Sequence, residues 1–213
     1  MAKIRKKTEY AARITKKNFS SFINSIFQKK RYIFAKNIQR SSSPYPMDYT
    51  TEYATPLGDI TMASDGEFLT GLWFNGQKYF ADTLDSIHEE CDGLPVFNDT
   101  RRWLDIYFSG KKPDFTPPLL MRTSTFRKKV WEALLSIPYG QTTTYGEIAK
   151  SLGCRSAQAV GGAVGHNAIS LIIPCHRVIG VDRNPTGYAG GIERKQYLLQ
   201  LEKSVNNTYS NQE

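Results

Sequence analysis

Cysteine is scarce in this 213-residue chain: Cys91, Cys154 and Cys175 are an odd set, with no two at a Cys-x-x-Cys spacing. That argues against a disulfide framework or a thiolate zinc site, and points to a compartment where thiols stay reduced. Histidine is equally sparse; His88, His166 and His176 stand at no ligand spacing from the cysteines, so no metal or other cofactor is expected. No apolar run approaches the roughly 18 to 20 residues that a bilayer span needs, which excludes a membrane-spanning helix. An apolar core of signal-peptide type is missing too, so secretion is not expected. Acids are nearly absent from residues 1–46, where Glu9 alone faces 12 lysines and arginines.

What remains is an ordinary globular composition, 40% hydrophobic and 23% charged, with a net charge of +8 that is unevenly spread. Residues 47–115 hold 13 acids against 5 bases, and residues 116–203 hold 11 bases against 5 acids. Phosphate repels the first stretch and attracts the second. If the folded part touches nucleic acid, its C-terminal half does so.

Residues 1–46 read as a basic extension ending in the linker-like Ser41-Ser42-Ser43-Pro44-Tyr45-Pro46. Phe19, Phe22, Ile23, Ile26 and Phe27 recur at helical spacing within it. Three readings stay open: an organelle-targeting segment, a nucleic-acid arm, or upstream sequence before a true start at Met47. From Tyr49 the pattern turns to short strands, Tyr49 to Thr55, Asp59 to Ala63 and Phe68 to Phe74. Pro56-Leu57-Gly58 and Ser64-Asp65-Gly66 break them as turns, so an antiparallel meander is predicted. Trp103, Leu104, Tyr107 and Phe108 then line one helix face up to Gly110, and the proline-rich stretch 113–120 reads as a connector.

Ser124 or Thr125 caps the next helix, with Phe126, Val130 and Leu134 at four-residue spacing, and Pro138-Tyr139-Gly140 stops it. Thr144-Tyr145-Gly146-Glu147 is a capping box opening a short helix to Leu152. Gly153-Cys154-Arg155 makes a turn, and Ser156 caps a second helix, Ala157 to Val164. That is the layout of a helix-turn-helix, although the pattern alone is weak evidence for DNA binding. The second helix is rich in small residues, Ala157, Ala159, Gly161, Gly162 and Ala163, which allow close approach to DNA or to the domain's own backbone.

Leu171 to Pro174 reads as a buried strand that delivers Cys175 to its end, followed by His176 and Arg177. An imidazole that takes the proton of a thiol makes a nucleophile; a buried structural cysteine is the plain alternative. Neighbours on an extended strand point to opposite faces, so the pair needs a turn at the cysteine or a bridging water.

The run Pro174-Cys175-His176-Arg177-Val178 resembles the active-site signature of the methylated-DNA–protein-cysteine methyltransferases, also called alkylguanine-DNA alkyltransferases. The likeness extends in order over roughly residues 50–203. It takes in Phe126 to Trp131, Ile137 to Gly140, Thr144 to Ala149, Ala159-Val160-Gly161, Asn167, Gly187 to Gly191 and Leu198 to Glu202. The resemblance implies an α+β fold, with a small antiparallel-sheet domain at 47–115 and a mainly helical domain with the helix-turn-helix at 116–203. The basic extension, 1–46, precedes them and a tail, 204–213, follows.

For the site it implies that Glu202 orients His176, which draws the proton from Cys175 through a water. Tyr145 would donate a proton to the departing base, and Asn167 would brace the cysteine loop. Tyr188, Ala189 and Gly190 would line the pocket and offer backbone N–H groups. Arg155, Ser156, Ala157, Gln158, Ala159, Gly161 and Arg177 would contact DNA. Read without the resemblance, Glu202 is a solvated helix residue and Tyr145 a surface aromatic. The implied partner is double-stranded DNA, met in the minor groove without regard to sequence by a monomer in cytoplasm or nucleus.

The match breaks at Gln158, where the family commonly has arginine, and at Ala168, where it has proline after the asparagine. Three other readings compete: a lesion sensor without transfer chemistry, a helix-turn-helix regulator, and a cysteine hydrolase. The presence of Cys175 disfavours the first. The scarcity of base-reading side chains on Ala157 to Val164 disfavours the second.

Overall fold

The computed structural model describes residues 47–209, with side chains through Lys203. The readings made for residues 1–46 lie outside the described residues. Strands β1 (Asp48–Tyr53), β2 (Ile60–Ser64) and β3 (Leu69–Phe74) form the predicted meander, paired Thr51 with Met62 and Met62 with Leu72. Gly58 and Gly66 sit in the two turns at φ 101° and 102°, a left-handed conformation that glycine adopts without a Cβ penalty. A fourth strand, β4 (His88–Glu90), lies outside β1 and pairs with it in parallel, giving the order β3-β2-β1-β4. The sheet is therefore mixed, not wholly antiparallel. Three exposed residues held by backbone pairing leave no alternating pattern to read.

Helix α1 (Pro95–Phe108) begins with proline in its first turn and lays Val96, Phe97, Thr100, Trp103, Leu104 and Tyr107 inward. Proline is tolerated there because the first helical N–H groups have no partner to lose. The stretch 113–120 then does more than connect. Leu69 N–H donates to the Pro118 carbonyl and Leu120 N–H to the Leu69 carbonyl, at 2.8 and 2.9 Å, so the segment pairs with the start of β3.

The helical half contains α2 (Thr125–Leu135), β5 (Thr143–Thr144), α3 (Tyr145–Ser151), α4 (Ala157–Gly165), β6 (Val178–Ile179) and α5 (Ile192–Tyr209). Helix α5 continues into the stretch expected as a tail. Ser124 caps α2, Thr144 and Glu147 form the complete capping box on α3, and Ser156 caps α4. Between α3 and α4, Gly153 at φ 65° lets Cys154 N–H reach the Ala149 carbonyl at 2.8 Å and its own N–H reach Lys150 at 3.2 Å. These two bonds satisfy the last carbonyls of α3 and turn the chain sharply. Val130, Trp131 and Leu134 of α2 are buried, as are Val160, Ala163 and Val164 of α4, and Trp131 Nε1–H donates to the Ala163 carbonyl at 2.8 Å.

Sheet and helices meet along β3, all six residues of which are buried. Leu72 N–H donates to the Ala168 carbonyl and Ser170 N–H returns to Leu72, both at 2.8 Å. Gln77 Oε1 accepts from Phe74 N–H at 3.0 Å and from the Ser170 hydroxyl at 3.3 Å. The segment leading to Cys175 is thereby fixed to the sheet.

Candidate active site

Leu171 to Pro174 is not the strand that its apolar run suggests. Leu171 adopts φ 68°, and Ile173 N–H bonds back to the Ile169 carbonyl at 3.0 Å, so the chain winds through tight turns. A single turn of 3-10 helix, Cys175–Arg177, follows. Apolar content reports burial, and here the burial belongs to a turn packed against β3 and α2. The turn at the cysteine is the geometry that the adjacent thiol and imidazole require.

Asn167 holds that turn together. Its Nδ2 donates to the Ile173 carbonyl at 2.7 Å, the Ile169 carbonyl at 3.3 Å and Cys175 Sγ at 3.1 Å, while its Oδ1 accepts from Ile169 N–H at 3.1 Å. Cys175 is only 4% exposed. Burial pushes the thiol up from its ordinary value, outweighing the Asn167 hydrogen bond and the nearby Lys195 charge that favour the thiolate. The resting group is therefore a buried thiol.

Beside it, His176 is fully buried and bonds through Nε2 to Glu202 Oε1 at 2.7 Å. Burial pushes the imidazole down despite the pull of Glu202, so it is neutral at neutral pH. Among the described residues its Nδ1 has no hydrogen-bond partner. With Nε2 facing a carboxylate, Nδ1 carries the free lone pair and is the basic atom of the ring.

Glu202 is itself fully buried at the centre of a dense donor set. Besides His176 it accepts from Arg177 Nε at 2.8 Å and Nη2 at 3.0 Å, from Gly140 N–H at 2.9 Å and from the Tyr107 hydroxyl at 2.8 Å. Burial alone would raise its carboxyl, but the His176 and Arg177 bonds prevail and hold it down at about 2. Glu202 is thus a permanent buried anion, not the solvated helix residue of the plain reading.

The wall around the thiol is the segment 186–190. Tyr145 donates its hydroxyl to the carbonyls of Thr186 at 3.1 Å and Gly187 at 3.3 Å. Burial and then the Cys175 charge raise its phenol, so it is a neutral donor. Lys195 Nζ is tied to the same two carbonyls at 2.7 and 3.3 Å and to Val178 at 2.5 Å. Its burial lowers it to about 8. Gly190 is where the ring of Tyr188 passes; an added Cβ would lie 2.7 Å from the ring edge. The Ala189 carbonyl accepts from Lys78 N–H at 2.9 Å, tying this wall to the sheet half.

On the helix-turn-helix, Arg155, Ser156, Ala157, Gln158 and Ala159 are all exposed along the first turn of α4. Two residues expected with them are placed otherwise. Gly161 faces inward, its missing Cβ aimed 3.7 Å from the Tyr145 ring, so its smallness serves the domain's own packing. Arg177 is 8% exposed, with its guanidinium committed to Glu202 and, at 2.7 Å, to the Ile137 carbonyl. A basic residue beside the acceptor thiol suggests phosphate, but a buried carboxylate claims it first.

Two contributors escaped the sequence reading. Tyr107 appeared only as an apolar position of α1, because periodicity records the ring and not the hydroxyl. Lys195 left a legible trace: it shares the inward stripe of α5 with Leu198 and Glu202 at three- and four-residue spacing, where a lysine is out of place.

A buried thiol held by an amide, next to a neutral imidazole on a carboxylate and behind an exposed helix-turn-helix, defines a class of thiol acceptor proteins that meet DNA. Residues 49–121 match the 6-O-methylguanine DNA methyltransferase, ribonuclease-like domain, and residues 125–204 match the DNA binding domain of the same name. The chain belongs to the 6-O-methylguanine DNA methyltransferase family. It is 43% identical over 157 residues to the methylated-DNA–protein-cysteine methyltransferase of Haemophilus influenzae, spanning 73% of this chain and 86% of the relative. To the Methanosarcina acetivorans protein of that name it is 41% identical over 157 residues, 73% of this chain and 99% of the relative. Among solved structures, Mycobacterium tuberculosis OGT in complex with DNA aligns at a TM-score of 0.66 and 43% identity, over 74% of this chain and 93% of that one.

Proposed function

We propose that this chain repairs DNA by moving a methyl or other alkyl group from the O6 of guanine onto Cys175, irreversibly and once per molecule. The observation that carries the reading is one buried cluster in which Asn167 holds the sulfur and Glu202 holds the imidazole of the next residue. His176 Nδ1 takes the thiol proton, through one water, as the alkyl carbon approaches. The S–C bond forms while the C–O6 bond breaks, and the electron pair stays with guanine. Tyr145 supplies a proton to the base, so no guanine anion is released; the proton held by His176 then returns to the tyrosine through solvent. Glu202 stabilises the imidazolium meanwhile, and Arg177 keeps that carboxylate ionised. Water does not cleave the resulting thioether, which makes each molecule a single-use transferase.

A buried thiol is out of reach of a base inside a duplex, so the nucleotide must be extruded at a cost of a few kcal/mol. The entering base displaces the Tyr145 hydroxyl from the Thr186 and Gly187 carbonyls, which frees that O–H to donate. Double-stranded DNA is met by the exposed turn of α4, from Arg155 to Ala159, in the minor groove. Small side chains fit that narrow groove and read little sequence, as a repair protein requires. The chain acts as a monomer in a reducing compartment that holds DNA, cytoplasm or nucleus.

The test is to incubate the protein with duplex oligonucleotide containing O6-methylguanine and weigh it intact. The expected result is a gain of one methyl group, capped at one per molecule and absent in Cys175→Ala. Multiple turnover of substrate would favour a hydrolase, and binding without mass gain would favour a lesion sensor.

A further inference from the structure

We propose that Tyr107, from α1 in the sheet half of the chain, is a positioning residue of the acceptor site that sets how readily His176 takes the thiol proton. This rests on the transfer reading above and assigns a part in the chemistry to the sheet half of the chain.

Tyr107 is fully buried, and its ring is locked by stacking on Trp103 at a centroid distance of 5.2 Å and by edge contacts with Phe108 and Tyr139 at 5.5 and 6.0 Å. Its hydroxyl therefore has one place to go. It donates to Glu202 Oε1 at 2.8 Å and lies 3.3 Å from His176 Nε2. Oε1 is the same oxygen that receives the His176 bond at 2.7 Å. Arg177 Nη2 donates to that oxygen as well, at 3.0 Å, so three donors share Oε1 and each weakens the hold of the others.

The groups facing His176 are Glu202 and Lys195 from α5, Arg177 and Cys175 from its own turn and Tyr107 from α1, while Tyr139 from the loop after α2 packs on Arg177 and Tyr107. Glu202 alone pulls the imidazole toward its protonated form. The Tyr107 O–H disperses part of the charge on Oε1, so the imidazole stays neutral and its Nδ1 stays a free base. Without that O–H, Oε1 binds the imidazolium more strongly, and the ring is already protonated when the thiol must give up its proton.

The phenylalanine variant removes one oxygen and keeps the ring. Tyr107→Phe is expected to shift the acidic limb of the single-turnover rate–pH profile to higher pH. The transfer rate constant at neutral pH should fall about tenfold, well within the 10²- to 10⁴-fold that general base catalysis supplies, and recover as pH rises. Affinity for O6-methylguanine duplex should hold. An unmoved limb with unchanged rate, or a fall equal at every pH, would overturn the proposal. A second readout needs no variant: the imidazole ¹⁵N spectrum of the wild type should show His176 protonated at Nε2 and bare at Nδ1, and the opposite tautomer would sink it. If wild-type protein takes up no methyl group, the transfer reading falls, while the titration of His176 in the two proteins still decides the role of Tyr107.

Discussion

Gln158 is exposed on the first turn of α4, where the resemblance leads one to expect arginine. Glutamine plugs a gap in a base stack and makes hydrogen bonds, but brings no cation to the phosphates. Gln158→Arg should therefore tighten duplex binding and speed repair of duplex substrate by several-fold, with the gain shrinking as salt rises; stopped-flow alkyl transfer at two salt concentrations checks it. A free O6-alkylguanine base, which needs no flipping, should react at an unchanged rate. The same scale shows the limit of reading side chains by type. Glu202, a helix glutamate on the plain reading, is a buried anion, and Arg177, expected on DNA, is its counter-ion.

The elements followed local rules closely. The Thr144 hydroxyl accepts from Glu147 N–H at 3.2 Å and Glu147 Oε2 accepts from Thr144 N–H at 2.8 Å, as the four-residue motif predicts. Thr144→Ala should cost about 1 kcal/mol in denaturant unfolding. Because Tyr145 is the first residue of α3, the loss should also slow alkyl transfer. A variant equally stable to the parent would show that the cap is redundant. Apolar content, by contrast, does not by itself mean extended conformation. Leu171 to Pro174 is buried as foreseen, yet Leu171 at φ 68° starts a turn, and no periodicity in so short a run separates the two.

The whole molecule is organised around charges that no single element explains. Glu202 keeps its proton off down to about 2, below its ordinary 4.5, so its contribution to stability is complete above pH 4.5 and is lost as pH falls toward 2. Glu202→Gln leaves Arg177 buried without its anion and should cost about 3 kcal/mol at neutral pH. Its penalty relative to wild type should shrink between pH 5 and 2; melting temperatures of the two proteins across that range check this, and a constant difference would contradict it. Ordering of the acceptor turn is likewise shared between halves, since Ser170 bonds to both Leu72 and Gln77 of the sheet side.

By itself the sequence determined what depends on neighbours along the chain. Caps, turns, strand meander and helix faces came from residues a few positions apart, and the ordered motifs carried the acceptor cysteine with its histidine, asparagine, tyrosine and distant glutamate. Only the tertiary structure decided the ionisation of the thiol, the destination of Arg177, the inward face of Gly161 and the presence of Tyr107 and Lys195 at the site. Protonation depends on desolvation and on charges gathered from distant segments. Those quantities exist only once the chain has closed around them.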